Sequence, residues 1–374
     1  LFHYDLKEQI TILAGLSAFC YLKAMKENIS KLITISTITL ICFACSTSPK
    51  NEKEVEFTSF QNTINLTQET VEWLDVYNCG GLVIYDSILV AIDWRRDKIF
   101  RVYSLNSKQL IGAFGGYGKG PTEFFNLPSF TSLLYLEGHE IFVQVFDIGR
   151  MTIININLTK SVESGNLIVS KQVKIPEESS LSDPFFLNDS IILGSLSELS
   201  DVLVTYNLST GETIKLHTPI QFKQNLSDRF DTYARFMSLT PSLESARIVG
   251  AYYFMKRLNI YNMEGDLLMV IKEKGNPVFN TSDPDIYERN KIQFSKAFIS
   301  NKNILVINEN RILKTTDEKY GELCLFDSTG RALNKYILDC YVNNGAVDWK
   351  SQRFYTFNRA ERTIISYALS GTNW

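Results

Sequence analysis

Histidine and cysteine are scarce in this chain, and basic charge does not exceed acidic. The 374 residues hold three histidines and six cysteines, and 38 Lys and Arg face 41 Asp and Glu for a net charge of -3. Without a basic excess there is little to neutralise phosphates, which argues against a nucleic-acid binder. Tetrahedral zinc wants three or four nitrogen or sulfur ligands. The two histidines beyond the N-terminal region, His139 and His217, stand far apart, and no CxxC spacing joins them, so both read as structural. Neither GxSxG nor HExxH occurs, which leaves the familiar hydrolase routes without support. Apolar residues at 45% and charged residues at 21% fit an ordinary globular chain with a large core.

The N-terminal region reads as an address. The first methionine is Met25, followed by Lys26 and Lys31, and residues 1–24 read as a non-native upstream extension. Residues 32–44 (LITISTITLICFA) form a 13-residue apolar stretch, too short to cross a bilayer but suited to a leader peptide. Cys42-Phe43-Ala44-Cys45 resembles a bacterial lipobox, which implies lipidation of Cys45 after removal of residues 25–44. Ser46 favours an outer-membrane destination, and the polar stretch 46–56 suits a tether. Of the remaining cysteines, Cys79, Cys324 and Cys340 read as buried thiols rather than a disulfide.

Internal repetition sets the fold. β-rich runs begin at Ile88, Ile141, Ile191, Ile248, Ile304 and Phe354, spaced by 53, 50, 57, 56 and 50 residues. Behind each comes a second run ending in a polar turn, and Gly211, Gly265 and Gly330 stand where a hairpin needs positive φ. Four strands per unit, about 50 residues, repeated six times, predict an all-β, six-bladed β-propeller with four-stranded antiparallel blades over residues 71–374. The last repeat lacks its outermost strand, which would leave an open edge. Residues 45–70 are therefore expected to supply a ring-closing strand, with 55–60 (VEFTSF) or 62–67 (NTINLT) as candidates.

Asp93, Phe114-Gly115, Gly118, Gly120, Phe124 and Pro128 resemble the pattern of an NHL repeat. The run Gly118-Lys119-Gly120-Pro121-Thr122-Glu123-Phe124 is similar to the TolB-like six-bladed propeller lipoproteins. That resemblance implies the propeller fold and an envelope location, and it brings no catalytic set. The glycine-rich stretch lacks the Gly-Lys-Ser/Thr ending of a phosphate loop and does not lead into a helix.

An arginine follows the second strand in four of the six repeats: Arg95 with Arg96, Arg150, Arg311 and Arg359. A ring of such cations would attract an anionic ligand and grip carboxylates bidentately. The structural alternative, which is favoured, pairs each with a nearby acid such as Asp93, Asp147, Glu309 or Glu361 and clamps neighbouring blades. Long connections over 217–241 and 272–290 carry aromatic residues that could line a sugar or peptide site. The expected function is a non-enzymatic, outer-membrane-anchored, monomeric propeller that binds a glycan, a peptide or an envelope protein, without metal or cofactor. The alternatives are a calcium-dependent lactonase or hydrolase, with 282–285 and Asp183-Pro184 read as ordinary turns rather than ligands, and an envelope scaffold.

Overall fold

The computed structural model describes residues 53–369 except 95–96, 121, 177–180, 197–201, 217–219, 221, 223, 225, 227, 276, 278, 280–289 and 313–319. The upstream extension, the leader, Cys45, Arg95, Arg96, His217 and residues 282–285 lie outside the described residues.

Six antiparallel sheets follow one another along the chain. From inner to outer strand, blade one is Cys79–Tyr85, Ile88–Asp93, Phe100–Ser104 and Gln109–Phe114. Blade two is Ser129–Glu137, Glu140–Asp147, Thr152–Asn157 and Val169–Lys174; blade three is Leu181–Phe186, Ile191–Leu196, Leu203–Asn207 and Thr213–Lys215. Blade four is Met237–Ser242, Arg247–Tyr252, Arg257–Asn262 and Leu267–Glu273; blade five is Lys291–Ile299, Asn303–Ile312, Glu322–Asp327 and Ala332–Leu338. Blade six contributes Ala346–Asp348, Arg353–Asn358 and Thr363–Ala368.

The second strand of each blade is apolar on both faces because each blade packs between two neighbours. In Ile88–Asp93, for example, only Ile88 is not fully buried. Six apolar layers fill the six gaps. The layer between the last and first blades joins Ala346, Tyr355 and Ile364 to Leu82, Leu89 and Tyr103, so the ring is closed. Gly211, Gly265 and Gly330 have φ of 71°, 85° and 91°, as the hairpins demand. The polar turn expected after the third strand of blade two is instead a short helix, Leu158–Ser164. Asn157 caps it by accepting from the Lys160 amide, and Gly165 ends it at φ 67°.

Closure differs from expectation in detail. The N-terminal side does complete blade six, through Glu69–Thr70 antiparallel to Thr363–Ala368. The two segments named as candidates run elsewhere: Lys53–Phe57 lies parallel to the outer strand of blade four, and Asn62–Leu66 parallel to that of blade five. The physical reason is continuity. The chain must enter blade one at Cys79, so the residues just before it lie beside blade six, and earlier residues reach back along the rim to blades five and four. The result is a strap over three blades. Phe57, Phe60 and Phe326 form a triangle of rings with centroids 5.3–5.5 Å apart that presses the strap onto the core.

Among the described residues, Cys79, Cys324 and Cys340 are free thiols as expected, with Cys324 the least exposed. Among the described residues no helix is long and apolar enough to cross a membrane.

Candidate functional site

The inner strands surround a central cavity of about 440 Å³, lined by blades one, two, four, five and six. Its walls are mostly apolar, with Leu82, Ile84, Leu134, Pro241, Phe298 and Val347 among them. It opens where the first and second strands of each blade turn. Leu136 and Leu243, 51% and 44% exposed, stand at this mouth with Trp349 and Glu244.

Deeper in, the inner strands lose their regular register. Bulges fall between Cys79 and Gly81, between Ser182 and Phe185, and twice between Ile292 and Lys296. An extra residue re-aims side chains at such points, and here polar groups gather at mid-channel. Lys296 lines the cavity and donates from Nζ to Asn344 Oδ1 at 2.8 Å. Asn344 is held in turn: its Oδ1 accepts from the Gly345 amide at 2.8 Å, and Nδ2 reaches the Gly80 carbonyl at 3.5 Å. The Lys296 ammonium also lies 5.6 Å from the centre of the Phe298 ring. No carboxylate among the described residues comes within ion-pair distance of it. Enclosure by protein lowers the Lys296 pKa to about 8, against the opposing pull of Asp183 and Cys79.

Asp183 was expected in an ordinary turn, but Asp183-Pro184 lies inside the inner strand of blade three, at its bulge. The backbone there is left-handed, with φ 46°, a conformation aspartate tolerates better than most residues. The carboxylate accepts from the Leu239 amide at 3.4 Å, and burial raises its pKa. The Cys79 thiol donates to the Gly81 carbonyl at 3.3 Å and is pushed up to about 12 by burial, so it is a thiol and not a thiolate.

Among the described residues, Arg150, Arg311 and Arg359 are not part of this cavity's lining. Arg150 Nη2 donates to the carbonyls of Gly118 and Gly120 at 3.4 and 3.2 Å, and its Nε stands 3.9 Å from Asp147 Oδ2. Arg311 Nε meets Glu309 at 3.1 Å, and its guanidinium stacks 4.2 Å from the Tyr341 ring centre. Arg150 thereby ties its strand end to the connection that leads into blade two, and Arg311 ties its strand end to Tyr341 in the connection between blades five and six. Arg359 is exposed at the turn after Asn358. The glycine-rich loop is likewise self-contained. Glu123 Oε2 accepts from the Gly120 amide at 2.8 Å, and a Cβ on Gly118 would stand 1.9 Å from that same oxygen. Glycine is required for the carboxylate to fold over, and the folded carboxylate occupies the loop where an anion would have to enter.

No group of three or more His, Cys, Asp or Glu among the described residues could hold a metal ion. Sequence reasoning missed Lys296 and Asn344. The available signal was a cation inside the apolar run KIQFSKAFI, on the same period-two face as Ile292, Phe294 and Phe298.

No curated protein matches the sequence. Among solved structures, a protein from Bacteroides fragilis described as exported aligns at TM-score 0.52 and 12% identity, over 84% of this chain and 98% of that one. A member of the DUF4221 family from Bacteroides vulgatus aligns at TM-score 0.52 and 10% identity, over 81% and 95%. At these identities the likeness is one of fold. Residues 81–350 match the family described as TolB-like 6-blade propeller-like, a span from the inner strand of blade one to that of blade six. The repeat, the ring and this match agree, and the chain belongs to the TolB-like six-bladed propeller family.

Proposed function

We propose that the protein is a non-enzymatic binding protein, anchored by lipid at Cys45 and held outside the cytoplasm at the outer membrane, whose ligand enters the central channel. The address rests on the pattern of residues 25–45. The binding reading rests on one observation: rigid strands from five blades converge on an apolar cavity of about 440 Å³ with a polar floor. Concave, mainly apolar pockets with few placed polar groups are the usual form of small-ligand sites, and this volume falls within their range of roughly 300–1,000 Å³.

A thermal-shift screen of glycans, peptides and small amphiphiles tests the reading. A ligand that binds only the native state raises Tm by mass action. A bulky side chain at the mouth, Leu243→Trp, is expected to remove that rise while leaving the unliganded Tm within a few degrees, because Leu243 is exposed. A ligand whose shift survives this substitution binds elsewhere and overturns the channel reading.

A second reading has its own observation. Trp94, Phe125 and Ile148, 50%, 58% and 63% exposed, belong to loops of blades one and two on the opposite face. Apolar side chains so presented suit a scaffold that docks an envelope protein. Loss of partner capture on Trp94→Ala and Ile148→Ala, with Leu243→Trp silent, would favour it.

A further inference from the structure

The channel combines two features that point to one ligand chemistry. Its walls are hydrocarbon, from Leu82 and Leu134 to Phe298. Its floor presents one ammonium, that of Lys296, which has three donor hydrogens. One goes to Asn344 Oδ1 at 2.8 Å, and no carboxylate among the described residues stands within ion-pair distance. An enclosed charge without a counter-ion is costly. Asp183 shares the electrostatic environment of Lys296 without touching it, and its carboxylate is turned to the Leu239 amide. Glu244, which does line the cavity, belongs to the turn at the mouth rather than to the floor.

We propose that the channel takes a small carboxylic acid with a short apolar tail, the carboxylate received by Lys296 at the floor and the tail lying along the apolar wall toward Leu243. This deepens the channel reading above and rests on it. A single ammonium in a hydrocarbon setting matches one negative charge. A phosphate, with more charge and more acceptor oxygens, needs several donors of the kind arginine forks supply, and no arginine among the described residues lines the cavity. The lowered proton affinity of Lys296 fits the same picture, since a bound carboxylate would restore it.

The test is isothermal titration of the full chain at pH 7 with octanoate, octan-1-ol and octylamine, which share a tail and differ in head group. Octanoate is expected to bind about ten-fold or more tightly than octan-1-ol, the scale of a charge-assisted contact in an apolar site. In Lys296→Met that preference should vanish, with octan-1-ol affinity kept within about two-fold. The bound octanoate should also raise the Tm of the wild type. Equal binding of octanoate and octan-1-ol overturns this inference, as does tighter binding of octylamine, which would make Asp183 the governing charge. Both results leave the channel reading standing. If none of the three binds while another ligand still gives a Tm rise that Leu243→Trp removes, this inference falls alone. The wild-type comparison decides the matter even where Lys296→Met fails to fold.

Discussion

A lysine ringed by protein gives up its proton more readily than one in water, and at Lys296 this couples folding to pH. Its pKa is about 8 in the folded protein against 10.5 ordinarily. Between those values the unfolded chain binds more protons, so the contribution of Lys296 to stability rises with pH from about 8 to 10.5 and is level outside that window. Lys296→Met is therefore expected to be more stable than the wild type at pH 7. The gap should close as pH rises through the window, by at most about 1.4 kcal/mol per pH unit. Urea titrations at pH 7, 8, 9 and 10 check this, and a gap that ignores pH would count against the enclosed, unpaired state. Asp183 and Cys79 both feel the Lys296 charge, and its removal raises their pKa values further, while Asn344 loses the hydrogen bond it accepts. The sequence shows the cation within its strand but not its enclosure. Only the closed ring makes its face a channel floor, and the two bulges just before it in the strand aim it there.

At the scale of the element, the strap bears most on stability. Its two longer strands are polar outside and apolar inside: in Lys53–Phe57 only Phe57 is buried, with Val55 half-covered. That weak alternation explains why the sequence reveals a needed closing strand but not its place, since several short stretches near residue 60 share the pattern. By contrast the blades were legible. The runs at Ile88, Ile141, Ile191, Ile248, Ile304 and Phe354 each mark a strand buried on both faces, and burial of that kind leaves an unbroken apolar signature. The ion pair of Lys272 with Glu54, 2.6 Å, is exposed and adds little. Phe57→Ala should cost about 3–5 kcal/mol by emptying the space between Phe60 and Phe326. Deletion of residues 46–70 should abolish soluble folding, because it bares the outer edges of three blades at once. A truncated protein with an unchanged Tm would show the strap to be dispensable.

For the molecule as a whole, closure joins six layers into one. The gap between blades six and one is filled by Tyr103, Tyr355, Leu74 and Leu89, and Tyr103 adds a hydrogen bond to the Asp75 carbonyl at 2.9 Å. An open stack could fray from its ends, since each repeat then depends only on its neighbours. A closed one has no end. Thermal unfolding is accordingly expected as a single transition in which calorimetric and van't Hoff enthalpies agree. Two resolved transitions would mean that some blades come apart on their own.

The strap also imposes an order on biosynthesis. Lys53, Asn62 and Arg353's partner Glu69 are made first, yet the groups they bind, Thr329, Asn334 and Arg353 itself, are more than 200 residues downstream. Until blades four to six have been translated, those leading residues have nothing to pair with, and the long loop they must close slows their docking. The earliest described segment to be made is thus among the last to settle. A nascent chain cut short before blade four cannot fasten Lys53–Phe57, and one cut short before blade six still leaves Glu69–Thr70 without its partner, so the complete strap marks a closed ring.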